Sequence, residues 1–195
     1  VVEGVLRYYV TALCFVVTLY QDLPVPVQQV LTFLAGPYAV PTALAMSLLI
    51  YWFGGKTMAD RATGQRATLR GLMAACIAGG LAVSIGLAWE RWASELSAVE
   101  GWACWHGLPS GCPAAAVGFA LGATFWRWNW RQGLWLCAAT GVWVVAQACC
   151  GVRYPLDVFV GTVLGVIVGW SLGSISWLDR PLGVFIRLAR WLMLA

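Results

Sequence analysis

The sequence predicts an all-α polytopic membrane protein, and three observations carry that reading. Of the 195 residues, 61% are hydrophobic and only 10% are charged, where a soluble domain carries about 25% charged residues. So few charges cannot cover a water-facing surface, so the outer surface is expected to meet lipid. The apolar residues fall in runs near the length of about 20 that a helix needs to cross a hydrocarbon core. The 22 Gly suit the close approach of helices inside a bilayer. No Ser/Gly-rich or Pro-rich linker divides the chain, and residues 1–195 are expected to form a single integral membrane domain.

Six spans are expected, at about 5–20, 38–53, 72–89, 113–126, 134–150 and 158–178. The first opens beside Glu3 and Arg7, and its start lacks the basic, apolar and cleavage regions of a removable signal peptide. It ends at Gln21-Asp22-Leu23-Pro24-Val25-Pro26, because proline has no amide donor and opposes helix continuation. Residues 27–34 are too few to span and are expected to lie along the interface. Gly36-Pro37 separates them from the second span, where Pro41 is tolerable in the first turn.

Residues 54–70 read as a polar loop, with Lys56, Arg61, Arg66 and Arg70 against Asp60. The longest loop follows the third span, at 90–111, and is acidic through Glu90, Glu95 and Glu100, with Arg91 as its basic residue. Arg127-Trp128-Asn129-Trp130-Arg131-Gln132 forms a tight turn between the fourth and fifth spans. Beyond the sixth span, residues 182–195 set Arg187 and Arg190 among apolar residues, the pattern of a short amphipathic helix on the membrane surface.

With six spans and an inside N-terminus, ten of the twelve Lys and Arg fall in inside segments, leaving Arg91 and Arg153 outside. That bias predicts cytoplasmic termini. Trp52, Trp89, Trp126, Trp128 and Trp177 stand at predicted span ends, as interfacial anchors do. The seven cysteines show no metal-finger spacing, and Cys14, Cys76 and Cys137 read as small hydrophobes inside apolar runs.

Two polar signatures then fall on the extracytoplasmic side, Pro109-Ser110-Gly111-Cys112 and Gly151-Val152-Arg153-Tyr154-Pro155-Leu156-Asp157. Ser110 and Gly111 at a helix start can offer a hydroxyl and backbone amides to a phosphate, helped by the helix dipole. The alternative is an N-cap and turn without a ligand. The hydrophobic helix-turn-helix between the signatures should bring both to one side of the membrane.

The spacing resembles the active-site layout of the type 2 phosphatidic acid phosphatases. That family has Pro-Ser-Gly-His at one helix start and, later, Ser-Arg, five residues, His, three residues, Asp. Here Ala146-Gln147, five residues, Arg153, three residues and Asp157 keep that spacing, within Gly151-Val152-Arg153-Tyr154-Pro155-Leu156-Asp157-Val158. The resemblance runs over roughly residues 27–173 and implies a six-span helical bundle with a polar pocket at the outer face.

The same resemblance implies lost chemistry. Arg153 stands where the family's nucleophilic His would, and a guanidinium has no lone pair to attack phosphorus. Cys112 stands at the general-acid His, and Gln147 at the Arg that clamps phosphate. Near the end of the third span, Ala88-Trp89-Glu90-Arg91-Trp92 carries no Arg-Pro where the family's first motif has one. Asp157 is kept, without the imidazole it would orient. Charge stabilisation is what phosphoryl transfer mainly needs, so no catalytic residue is expected.

Ser110, Gly111, Arg153 and Asp157 remain candidates for holding a lipid phosphate, while Arg153 and Asp157, four apart, are alternatively an ion pair that closes the pocket. His106, the single His, reads as a loop residue, as partner to the Cys112 thiol, or as a metal or pigment ligand, and Cys104–Cys112 as a possible disulfide. No cofactor is expected; a bound lipid is compatible with the pocket. The function this implies is a structural or accessory subunit of a membrane complex, with membrane lipids and other membrane subunits as partners and no nucleic acid. An active lipid phosphate or diphosphate phosphatase with a non-standard site is the alternative, followed by a pigment- or quinone-contacting subunit of an energy-transducing complex.

Overall fold

A glycine every fourth residue decides how the helices meet. In the computed structural model, residues 18, 20–55, 57–97, 112–151, 155–175, 178, 181–184 and 186 are described. They form six named helices: α1 (Val25–Ala35), α2 (Ala39–Phe53), α3 (Met58–Ser97), α4 (Pro113–Trp126), α5 (Trp130–Cys149) and α6 (Pro155–Ser174), with no strand among the described residues. Three helices, α3, α5 and α6, contain stretches long and apolar enough to cross a membrane. A fourth span is added if α1 and α2, bent by 55° at Gly36-Pro37, count as one. The protein is thus an all-helical integral membrane protein.

Helix α4 is the axis of the bundle. At 14 residues it is shorter than the other core helices, yet nine of them are buried, most of them Ala or Gly. It packs most extensively on α6, then on α3 and α5. Along α6, Gly161, Gly165 and Gly169 lie against the carbonyls of Cys112, Ala116 and Ala120, so that any Cβ there would collide with backbone. The two registers rise together, so α4 and α6 are parallel and touch backbone to backbone. Such small-residue seams are how helices associate in lipid, where no hydrophobic effect draws them together. Helix α5 returns antiparallel, with Thr140 on Gly118 and Cys137 on Gly122. Ala74, Ala78 and Ala82 of α3 complete the interior against Ala116 and Ala120.

Bulky residues are placed the other way. Phe159, Ile167, Leu49, Ile50 and Leu87 are all more than half exposed. Small residues inside and large apolar residues outside are what a lipid-facing bundle requires.

Several boundaries differ from the sequence reading. The expected loop at 54–70 is helical from Met58, and α3 runs without a break through the third span to Ser97, shortening the expected loop at 90–111 from its start. Its start is fixed by a local exchange: the Thr57 hydroxyl donates to Asp60 Oδ2 (2.7 Å) and the Asp60 amide donates to Thr57 Oγ1 (3.1 Å). Thr57 is thus the N-cap, its oxygen satisfying the amide of the third helical residue. The polarity that suggested a loop belongs to a packed face, where Gln65, Thr68 and Arg70 are all buried.

Residues 27–34 belong to α1, whose end packs through Leu34 on the core rather than lying wholly along the interface. The bounds expected for the fourth span are those of α4, although its 14 residues are shorter than a membrane-crossing helix, and α5 and α6 begin three to four residues before the predicted fifth and sixth spans. The span at 5–20 and the tail at 182–195 lie largely outside the described residues; within the tail, Leu182 and Ile186 are buried while Val184 is exposed.

Candidate functional site

The parallel seam puts the N-termini of α4 and α6 side by side, joining the two signatures that are 45 residues apart in sequence. The Cys112 amide donates to the Asp157 carbonyl (3.0 Å), and the Cys112 carbonyl accepts from the Ala116 amide (3.0 Å). Cys112 is thus both the N-cap of α4 and the stitch to α6. Proline at the first position of α4, and Pro155 opening α6, suit helix starts, where a missing amide costs nothing.

Cys112 is wholly buried and its thiol is free, not part of a disulfide. It packs with Ala115 and Val144, against Val158 and Phe119. Asp157 occupies the first turn of α6 and is 3% exposed. Two helix N-termini each present roughly half a positive charge, so this end of the bundle favours an anion, and Asp157 supplies one.

Gln147, also buried, lies one turn beyond Val144 on α5. Its Nε2 donates to the Ala35 carbonyl at the end of α1 (3.4 Å). It therefore ties α5 to α1. Gly151 follows α5 with φ 69°, and its amide donates to the Ala148 carbonyl (3.1 Å), closing the helix in a left-handed cap. His106, Ser110, Gly111, Arg153 and Cys104 lie outside the described residues, as does the ion pair expected between Arg153 and Asp157. Among the described residues, no three His, Cys, Asp or Glu side chains gather as metal ligands.

The opposite end holds groups that the sequence reading did not single out. Arg70, treated there as a loop cation, is 2% exposed. Its Nη1 donates to the Gly173 carbonyl (3.2 Å) and its Nη2 to the Ile175 carbonyl (2.8 Å). Those carbonyls end α6 and have no intrahelical donors, and a cation there is favoured by the dipole. The guanidinium lies over Trp128, 5.3 Å from the ring centre. Trp128 is thus half-buried under Arg70, not a plain lipid anchor.

The turn between α4 and α5 distributes its side chains to three neighbours. Trp128 meets α3, Asn129 Nδ2 donates to Tyr51 Oη of α2 (2.7 Å), and Arg127 reaches Ser174 of α6. Helical spacing from Ala67 through Arg70 to Ala74 was the signal that could have revealed Arg70 as part of a packed face.

Among the described residues, two of the cavities flank the bundle core. One of about 380 Å³, between α2, α4 and α5, is walled by Leu44, Leu48, Val117 and Trp143. The other, about 370 Å³, lies near the start of α3 between Tyr51, Asp60, Thr63 and Trp128. Neither is lined by Cys112 or Asp157. Compared with protein-family models, curated proteins and solved structures, the chain matches none.

Proposed function

We propose that this chain is a catalytically degenerate relative of the type 2 phosphatidic acid phosphatases, working as a structural or accessory subunit of a membrane complex. In this reading it is a six-span bundle with cytoplasmic termini. The end bearing Cys112 and Asp157 is extracytoplasmic and holds at most a lipid headgroup, without cleaving it. Membrane lipids and neighbouring membrane subunits are its partners.

The observation that carries the reading is the fate of Cys112. At the position of the family's proton donor stands a fully buried thiol, whose backbone serves to bind one helix start to another. A group that delivers a proton to a leaving alcohol must reach it, directly or through one water. The turning of Gln147 towards Ala35 supports the same conclusion, since an amide bonded to a neighbouring helix is not a phosphate clamp.

The test is phosphate release by the purified chain in liposomes containing phosphatidate or a polyprenyl diphosphate. No release above protein-free liposomes is expected. The variant combining Cys112→His, Gln147→Arg and Arg153→His should gain release if the family's spacing is retained. Release by the unmodified chain that falls in Asp157→Asn would overturn the non-catalytic reading. The chain should also migrate in mild detergent with stoichiometric partners; isolation as a lone protomer from its native membrane would count against an accessory role.

A further inference from the structure

We infer that the end of the bundle opposite Cys112 carries a binding site for the phosphate of an anionic phospholipid at Arg127, on a tryptophan-rich rim that also bears Arg131. The inference does not depend on the phosphatase reading, only on the chain being a membrane protein.

Five arginines described at this end fall into distinct settings, Arg61 being half-buried in the first turn of α3. Arg70 is buried, and both of its Nη atoms donate to carbonyls of α6. Arg66 is exposed on α3. Arg127 and Arg131 are exposed but held in place. Arg127 donates through Nη1 to Ser174 Oγ (3.2 Å) and lies 5.8 Å from the centre of the Trp170 ring. The Ser174 hydroxyl in turn donates to the Trp170 carbonyl (2.8 Å), so its lone pairs are turned to the guanidinium. Arg131 lies 5.7 Å from the centre of the Trp130 ring. Neither Arg127 nor Arg131 has a carboxylate partner among the described residues.

The position matches a headgroup. Ser174 is the last residue of the membrane-crossing stretch Asp157–Ser174, so Arg127 stands at the depth where acyl chains give way to phosphates. Trp126, Trp130 and Trp170 are each more than two-fifths exposed around it, as indoles are at that level. A guanidinium fixed on an aromatic face loses little freedom on binding and offers a planar fork that fits two phosphate oxygens. The occupant is therefore a lipid with net negative charge, such as phosphatidylglycerol, in preference to a zwitterionic one.

The experiment is electron spin resonance of the full chain in phosphatidylcholine bilayers, with spin-labelled phosphatidylglycerol or phosphatidylcholine reporting the lipid held at the protein. The unmodified chain should favour phosphatidylglycerol by about five-fold or more, since one cation near an anionic headgroup contributes on that order. The preference should shrink at high salt. Arg127→Gln together with Arg131→Gln should bring it close to parity, while Arg127→Lys should leave it intermediate, because charge is kept and the fork is lost.

Arg66→Gln and Arg153→Gln should each retain most of the preference. Equal loss in Arg66→Gln would mean diffuse charge without a site, and loss confined to Arg153→Gln would put the headgroup at the other end. Either result overturns the inference, as does the absence of a preference in the unmodified chain, which would leave an acidic protein partner for these arginines.

Discussion

The two ends of the α4–α6 pair are held by different means. At the N-terminal end, backbone meets backbone: the Cys112 amide donates to the Asp157 carbonyl, and Gly161 leaves room for the approach. At the C-terminal end the backbones draw apart, and a Cβ added at Gly173 would meet Thr124 Cα at an ordinary contact distance of 3.6 Å. There long side chains hold the end of α6, Arg70 from α3 and Arg127 from the turn after α4. The lesson concerns capacity. An end closed by backbone spends its donors on the neighbouring helix, whereas an end closed by guanidinium groups keeps donors to spare.

The largest effect should come from the seam that both ends share. Gly165→Val forces a side chain into the Ala116 carbonyl and should cost about 3 kcal/mol or more. Loss of a monodisperse, thermally cooperative species in detergent is the expected readout, and an unchanged melting temperature would refute backbone contact there. Next comes Arg70→Leu, which strips the donors from two terminal carbonyls and removes the cation over Trp128. It should cost about 2–3 kcal/mol by thermal unfolding. Arg70→Lys should recover less than half of that, because one ammonium cannot reproduce the fork.

At the other end, Asp157→Asn removes the negative charge from the first turn of α6 and should cost about 1–2 kcal/mol, read by chemical unfolding. A loss larger than that of Arg70→Leu would reverse the ranking of the two ends. The smallest effect is Gly151→Ala, about 1 kcal/mol, because the left-handed cap after α5 disfavours a Cβ. Hydrogen exchange confined to the last turn of α5 should report it.

Where the sequence was legible, the signal was local. The boundaries of α4 fall where Pro113 starts a run of small apolar residues and Arg127 ends it. The break at Gly36-Pro37 separates α1 from α2. The first turn of α3 was misread because Arg61, Gln65 and Arg70 look like loop residues one at a time. The exchange between Thr57 and Asp60, and the burial of Gln65 and Arg70, mark them as parts of a packed helix. Of the candidate site, the joining of Cys112 to Asp157 was foreshadowed by spacing, while the burial of the thiol and the turning of Gln147 to Ala35 were not.

The sequence by itself determined the solvent and most of the helices, though not the start of α3, because hydrophobicity and helix breaks act over a few residues. It also carried the fourfold glycine spacing of α6, though not the partner for that face. The tertiary structure decided that α4 lies in it, that a cation counted as a loop charge caps a helix 103 residues away, and that Cys112 is sealed from solvent. Those outcomes depend on which helix faces meet, a choice made by the packing of all the helices together.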